Sequence, residues 1–253
     1  MAPRGLKKIL KDTVPARLVR GRFPAFEPLK DGKTTGKKLR GLTKALEAGL
    51  WSDGNLPAVA KYSAVKRGGW RGQRGGRQRG AAVDAQLSRA VNAGCTKPKS
   101  GQYTLTKLAL AALAEHGLEP VASQRAVCNE RLRVGTAVDV LCYEKATARL
   151  VVVELKCNGG QAKEAPAEKH GRPCRMRTPI GRAPDHTLNR HFAQLACTHA
   201  LFVREKKTLE KLCAIGVSGE VGGALLYVND ELTELYTLSS WWTDRAPRIL
   251  NAL

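Results

Sequence analysis

GTAVDVLCYEKATARLVVVELKCN, residues 135–158, is the stretch from which the fold is read. Two runs rich in Val, Leu and Cys, Ala137 to Tyr143 and Leu150 to Lys156, are separated by Glu144-Lys145-Ala146-Thr147, a pattern of strand, turn and strand. Strand alternation puts Val138, Val140 and Cys142 on one face and Asp139, Leu141 and Tyr143 on the other. In the next strand Val151, Val153, Leu155 and Cys157 oppose Val152, Glu154 and Lys156. Glu154 and Lys156 therefore point the same way, and a hairpin turning at Glu144 to Ala148 brings Asp139 beside them.

Two carboxylates on neighbouring apolar strands repel, and burial raises at least one pKa unless a cation sits between them. A divalent metal removes that cost, and hard oxygen ligands suit Mg²⁺ or Mn²⁺, ions that polarise a phosphate oxygen and activate water. An amine at Lys156 can orient that water and stabilise charge building on phosphorus. An isolated E-x-K is common by chance and can simply keep an edge strand soluble. Here VVVELKC is apolar except at those two positions, and charges interrupting such a strand need a partner or a purpose.

Working outward, Val121 to Val134 forms the first strand of a three-strand meander, broken from the next at Gly135-Thr136. Upstream, Ala81 to Ala93 places Val83, Leu87, Ala90 and Val91 on one helical stripe opened by Gly80, and Leu105 to His116 forms a second helix stopped at Gly117. Downstream, Gly159 to Pro184 reads as a long surface loop. Helical periodicity returns over Asp185 to Arg204, and strands Ala224 to Val228 and Leu232 to Leu238 flank a turn at Asn229 to Glu231.

Before residue 80 the character changes. Residues 1–80 hold 20 Lys and Arg against 5 acids, a formal +15 of the chain's +21, which suits a polyanionic partner. A short helix is expected over Lys37 to Leu50. The run KRGGWRGQRGGRQRG, Lys66 to Gly80, reads as unpacked, with arginines for phosphates and Trp70 as a stacking surface, or as a solvated linker. The expected organisation is a basic, largely flexible nucleic-acid-binding arm, 1–79, followed by a domain, 80–253. Met1 to Phe26 suits an organellar import signal equally well.

Of the 253 residues 43% are hydrophobic, enough for a real core, and no run reaches the ~20 apolar residues that cross a bilayer. A soluble protein without a membrane partner is expected. Seven cysteines without paired spacing suggest a reducing, intracellular compartment.

Asp139 followed fifteen positions later by Glu154-Leu155-Lys156 resembles the signature of the PD-(D/E)xK nuclease superfamily, and more narrowly its RecB-type and phage-type exonuclease branch. The resemblance covers about Gly80 to Leu238. It extends to Gly80-Ala81-Ala82-Val83-Asp84, similar to the branch's upstream G-x-x-V-(H/D/E) helix motif, and to Gln194 in HFAQLACTHALF on the helix after the E-x-K strand. Val138 stands where the superfamily name has Pro, and Thr198 where a Tyr often follows the Gln. The resemblance implies an α/β, restriction-endonuclease-like mixed sheet of at least four strands flanked by helices, with the basic N-terminal extension outside it. It also implies a Mg²⁺- or Mn²⁺-dependent nuclease acting on DNA, an exonuclease or a repair or recombination enzyme. Asp139, Glu154 and the Leu155 carbonyl would hold the metal, Lys156 would assist the nucleophile, Gln194 would contact substrate, and Asp84 would bind a second ion.

Other readings stand beside this one. A non-catalytic nucleic-acid-binding or packaging protein would use the basic arm alone, and RNA could replace DNA as the ligand. Glu130 competes for a place in the site, although pairing with Arg131 or Arg133 explains it. Arg190 and Arg204 are candidates for phosphate contacts. His170, Cys174, His186, His191, Cys197 and His199 cluster in sequence without zinc spacing and read as satisfied core or surface residues. Trp241-Trp242 reads as a hydrophobic lid rather than a base-stacking platform.

Overall fold

A computed structural model describes residues 2–19, 25–54, 56, 76–157, 163–229 and 233–253. In chain order the elements are α1 (Leu6–Asp12), β1 (Ala16–Val19), β2 (Ala25–Lys30), β3 (Lys33–Thr34), β4 (Arg40–Gly41), α2 (Leu42–Gly49), α3 (Gly76–Asn92) and α4 (Thr104–Glu115). They continue with β5 (Leu118–Asn129), β6 (Val134–Glu144), β7 (Arg149–Lys156), β8 (Glu168–Lys169), β9 (Arg172–Pro173), α5 (Thr187–Val203) and α6 (Lys206–Cys213). The last are β10 (Val221–Val228), β11 (Thr233–Thr237), α7 (Ser240–Thr243) and α8 (Ala246–Asn251).

The long, β-branched strands pair as a mixed six-stranded sheet in which β11, β10, β7 and β6 are neighbours in that order and both β5 and β4 pair with β6. The meander β5-β6-β7 is antiparallel, β10 joins β7 in parallel, and β11 returns antiparallel on β10. The parallel step requires a crossover, which α5 and α6 supply. Alternation then gives two cores. Val140, Cys142, Val151, Val153 and Leu155 pack against Val83, Leu87 and Val91 of α3 and Leu105, Ala109 and Leu110 of α4. Leu141, Tyr143, Leu150 and Val152 face Leu195, Ala196 and Phe202 of α5 and a second layer including α8. The chain is thus α/β, with a mixed sheet flanked by helices, as its strand and helix patterning requires. Among the described residues no helix is long and apolar enough to cross a membrane.

Several boundaries differ from expectation. Gly135 and Thr136 do not break the meander; they lie within β6, and the turn is Glu130 to Arg133, where Arg133 adopts φ 54° and its N–H reaches the Glu130 carbonyl. Gly135 is required for another reason. A Cβ there would lie 2.7 Å from the Cβ of Phe26, so the glycine lets β2 press onto β6. Helix α3 begins at Gly76, leaving Gly80 inside the helix, so the end of the run is helical; Trp70 and the rest of Lys66 to Gly75 lie outside the described residues. The segment before α5 is no simple surface loop, because Met176, Ile180 and Ala183 are buried in the larger core and the Ala167 and Asp185 backbones tie it together.

The largest departure concerns the N-terminal arm. Leu6 and Leu10 of α1 and Leu42, Leu46 and Leu50 in and after α2 are buried in the larger core, and Ala16, Phe26 and Leu39 pack on Ala126 of β5. The described parts of 1–79 are therefore folded into the body. Leucines at helical spacing buried this completely contribute about 1.5–3 kcal/mol each, which outweighs the pull of the surrounding lysines toward water. β4 pairs in parallel with the start of β6, Arg40 against Val134 and Gly41 against Gly135.

Candidate active site

β5 occupies one edge of β6 along its whole length, so β7 and β4 share the other. β7 pairs with β6 only from Glu144↔Arg149 to Val140↔Val153. Asp139 and Glu154 are the next two residues in that register, and there the strands part. In place of a ladder bond, the Asp139 Oδ2 accepts the Leu155 N–H at 3.0 Å. A carboxylate thus substitutes for a backbone carbonyl at the fork of two strands, which fixes its side chain in the opening.

Glu154, 2% exposed, is gripped from the other side. Its Oε1 accepts the Lys156 ammonium at 2.6 Å and the Gln194 amide at 2.5 Å, and the Gln194 Oε1 in turn accepts from Lys156 at 3.4 Å. Gln194 reaches the strand because α5 packs its apolar residues, Ala193, Leu195 and Ala196, over this face of the sheet. Three of the residues expected in the site, Glu154, Lys156 and Gln194, therefore form one closed triangle with Asp139 beside it.

Asp84 joins from α3 on the opposite layer, through a residue for which the sequence carries no motif. Gln124 lies across from Asp139 on β5, between the pairs Ser123↔Val140 and Arg125↔Val138, and adopts φ 54°. Its amide donates to Asp84 Oδ1 at 2.9 Å and to Asp139 Oδ1 at 3.4 Å. A left-handed glutamine inside a strand stores about 1 kcal/mol of backbone strain, held here by the two carboxylates. Ser123 adds a hydrogen bond to the Asp139 carbonyl at 2.5 Å.

The electrostatics follow from burial. Desolvation, then repulsion from Asp139, pushes the Glu154 carboxyl up to about 8, with Lys156 opposing. Burial and Asp139 likewise raise Asp84 to about 7 against the pull of Gln124 and Lys156. Burial also raises Asp139, while Lys156 and the Leu155 N–H work the other way. Burial disfavours the Lys156 ammonium, but Glu154 and Asp139 outweigh it and hold its pKa above the ordinary value. Three carboxylates and one ammonium carry a formal excess of negative charge, and burial first, with repulsion from Asp139 second at Asp84 and Glu154, makes that charge costly.

That excess, and a donor set made of oxygens alone, fit a hard divalent cation. Among the described residues no three His, Cys, Asp or Glu side chains converge as a ready-made cage: the Gln124 amide lies between Asp84 and Asp139, and the ammonium of Lys156 lies against Glu154.

Compared with protein-family models, curated proteins and solved structures, the chain matches none. The site is therefore read from its own geometry.

The remaining candidates fall elsewhere. Glu130 is exposed in the β5–β6 turn. Arg190 is held by the buried Asp185, at 2.6 and 2.9 Å, and lies 4.8 Å from the Trp51 ring centroid, so a phosphate would have to displace both. Arg204 caps the exposed end of α5. The histidines have separate partners: His186 Nδ1 caps α5 at the Asn189 N–H, His191 Nδ1 meets the Tyr227 hydroxyl at 2.7 Å, and His199 Nε2 meets the Val221 carbonyl at 2.8 Å. Trp242 is buried and stacks on Phe192, whereas Trp241 is 38% exposed, so the tandem divides between core and surface.

Proposed function

We propose that this chain is a Mg²⁺- or Mn²⁺-dependent nuclease that hydrolyses DNA phosphodiester bonds, with the restriction-endonuclease-like sheet of the PD-(D/E)xK superfamily. The observation that carries the reading is the fork between β6 and β7. There Asp139 and Glu154 lie side by side, with Lys156 bonded to Glu154 and Gln194 bonded to both Glu154 and Lys156. A structural ion pair would need one acid and one base; here Lys156 pairs with Glu154 while Asp139 stands beside them and Asp84 is linked to Asp139 through Gln124. The RecB-type and phage-type exonucleases are the proposed relatives, and exonucleolytic repair or recombination is the proposed role.

Asp139, Glu154 and the Leu155 carbonyl would hold the ion, with Asp84 on the far side of Gln124 as a further carboxylate. When bound, the ion would supply the positive charge that the site lacks and would polarise a phosphate oxygen. Lys156 orients the attacking water with its ammonium and stabilises the charge that builds on the phosphate as the new P–O bond forms and the bond to the leaving sugar oxygen breaks. Gln194 acts through others: its two amide ends fix the Glu154 carboxylate and the Lys156 ammonium relative to each other. Because Glu154 and Asp84 keep protons up to about pH 8 and 7, a metal-loaded site must displace them, and activity should rise with pH through that range.

The deciding assay incubates the purified protein with single- and double-stranded DNA in Mg²⁺ or Mn²⁺. Cleavage that disappears in Asp139→Ala and Glu154→Ala supports the proposal. Absence of cleavage with either ion, or a Glu154→Ala form as active as its parent, would leave a nucleic-acid-binding protein without turnover.

A further inference from the structure

A second basic feature lies away from the carboxylates. The turn Thr178 to Arg182, which precedes α5, faces α7 and α8 across a cleft of about 450 Å³ lined by Ile180, Arg182, Trp241, Arg245 and Arg248. Its lining contains three arginines and no acid. Among the described residues none of the three guanidinium groups forms an ion pair, although Arg245 donates to the Trp241 carbonyl at 3.0 Å. The guanidinium carbon of Arg245 lies 4.1 Å from the centre of the Trp241 ring, so the indole and the planar cation are stacked. Arg182 and Arg248 are exposed beside them.

The cleft is firmly built. Ile180 is buried beneath the turn, Trp242 is buried next to Trp241, and their rings meet edge to face at 4.7 Å. From Trp242 a run of packed rings leads through Phe192, Tyr236 and Tyr227. Tyr227 lies beside Lys156 in the β10–β7 register. Helix α5 supplies Gln194 to the carboxylate site and Phe192 to this run, so one rigid body positions both features.

We propose that this cleft binds a single-stranded stretch of nucleic acid, with phosphates on Arg182 and Arg248 and a base against the Trp241–Arg245 stack. Planar guanidiniums bind phosphates through paired N–H groups, and an exposed indole adds a sequence-tolerant stacking surface. An acidic peptide would use the arginines but would have no use for the indole. As an account of how substrate is held, the inference rests on the nuclease reading; as a binding site it can be tested separately.

The test measures binding of a fluorescent 12-mer oligothymidylate to the full chain in EDTA, over a range of salt concentrations, so that no cleavage intervenes. Arg182→Glu with Arg248→Glu should weaken binding at least tenfold and flatten the salt dependence by about 0.7 log units for each phosphate that is no longer neutralised. Trp241→Ala should weaken it about tenfold with the salt slope unchanged. Lys97→Glu with Lys99→Glu makes the same charge change on another exposed segment and should have a much smaller effect. Equal losses in the two double variants would overturn the proposal, because the chain would then be acting only through its net charge. So would an unaltered Trp241→Ala together with displacement of the oligomer by polyglutamate. Cleavage of p-nitrophenyl thymidine 5′-phosphate, which contains a single phosphodiester, should be unchanged in the Arg182/Arg248 variant. If the parent cleaves that substrate and the cleft variants bind normally, the cleft fails and the nuclease stands; if the parent cleaves nothing and the cleft variants lose binding, the reverse holds.

Discussion

Replacing Glu154 by Gln should make the folded protein more stable in alkaline solution while abolishing cleavage. Burial and Asp139 raise this carboxyl from 4.5 to about 8. Between those values the folded chain keeps a proton that the unfolded chain has released, so stability falls as pH rises through that window. Ionising the group in the fold costs up to about 5 kcal/mol, at about 1.4 kcal/mol per pH unit. Asp139 shares the burden, since the site can place its retained proton on either acid, so removing one carboxylate should recover about half, or about 2.5 kcal/mol. For a chain of this size that is about 5–10 °C in Tm. The glutamine keeps an oxygen for the Lys156 and Gln194 donors, and Asp139 remains to balance the ammonium. Thermal unfolding of parent and Glu154→Gln at pH 5 and pH 8.5, with and without 10 mM Mg²⁺, provides the measurement. Near-equal Tm values at pH 5, a more stable variant at pH 8.5, and Mg²⁺ stabilising only the parent are expected. A parent whose Tm is flat across this range, or a variant destabilised equally at both pH values, would refute the charge-deficit account of the site.

Other outcomes follow from named contacts. Lys156→Ala should lower DNA cleavage about 10²–10³-fold, in line with loss of one transition-state donor, with oligonucleotide affinity in EDTA nearly unchanged; a parallel loss of affinity would make Lys156 a binding residue. Gln124→Gly should relieve the φ 54° strain and hold or raise Tm, yet reduce cleavage by releasing Asp84 and Asp139, as single-turnover rates would reveal. Leu10→Ala or Leu46→Ala should cost about 2–5 kcal/mol in urea unfolding; a change below about 0.5 kcal/mol would restore the flexible arm. Arg125→Ala removes a buried guanidinium bonded to Glu205 at 2.7 and 2.9 Å and should cost about 3–5 kcal/mol at pH 7. Burial already raises the Glu205 carboxyl, so the loss should shrink toward pH 5, where that group can accept a proton.

The central sheet was legible because period-two alternation over 135–157 is dictated by backbone geometry, and both predicted faces appear in the two cores, Val138 alone departing to the larger one. Glu154 and Lys156 share a side by the same parity, while Asp139 meets them where β6 and β7 part, through its bond to the Leu155 N–H. Gln124 was not legible: its role depends on an irregular backbone angle and on two acids from distant segments, neither of which leaves a local pattern. The N-terminal leucines were visible, but the lysine and arginine density around them pointed to solvent, and only the packing of α1 and α2 on the sheet reverses that reading. Trp241 and Trp242 are identical in sequence terms and differ only in which way a four-residue helix turns them.

The fork that holds Asp139 and Glu154 is assembled from segments far apart in the chain. The meander β5-β6-β7 supplies Asp139, Glu154 and Lys156 and precedes α5 and β10 in the chain. Within that meander Lys156 is the cation bonded to Glu154, and the amide that braces the two comes from elsewhere. Gln194 comes with α5, and the other edge of β7 is paired by β10, both later in the chain than the meander. The contacts that close the site therefore belong to the same helix that closes the larger core, so a substitution that loosens α5 reaches the carboxylates without touching them.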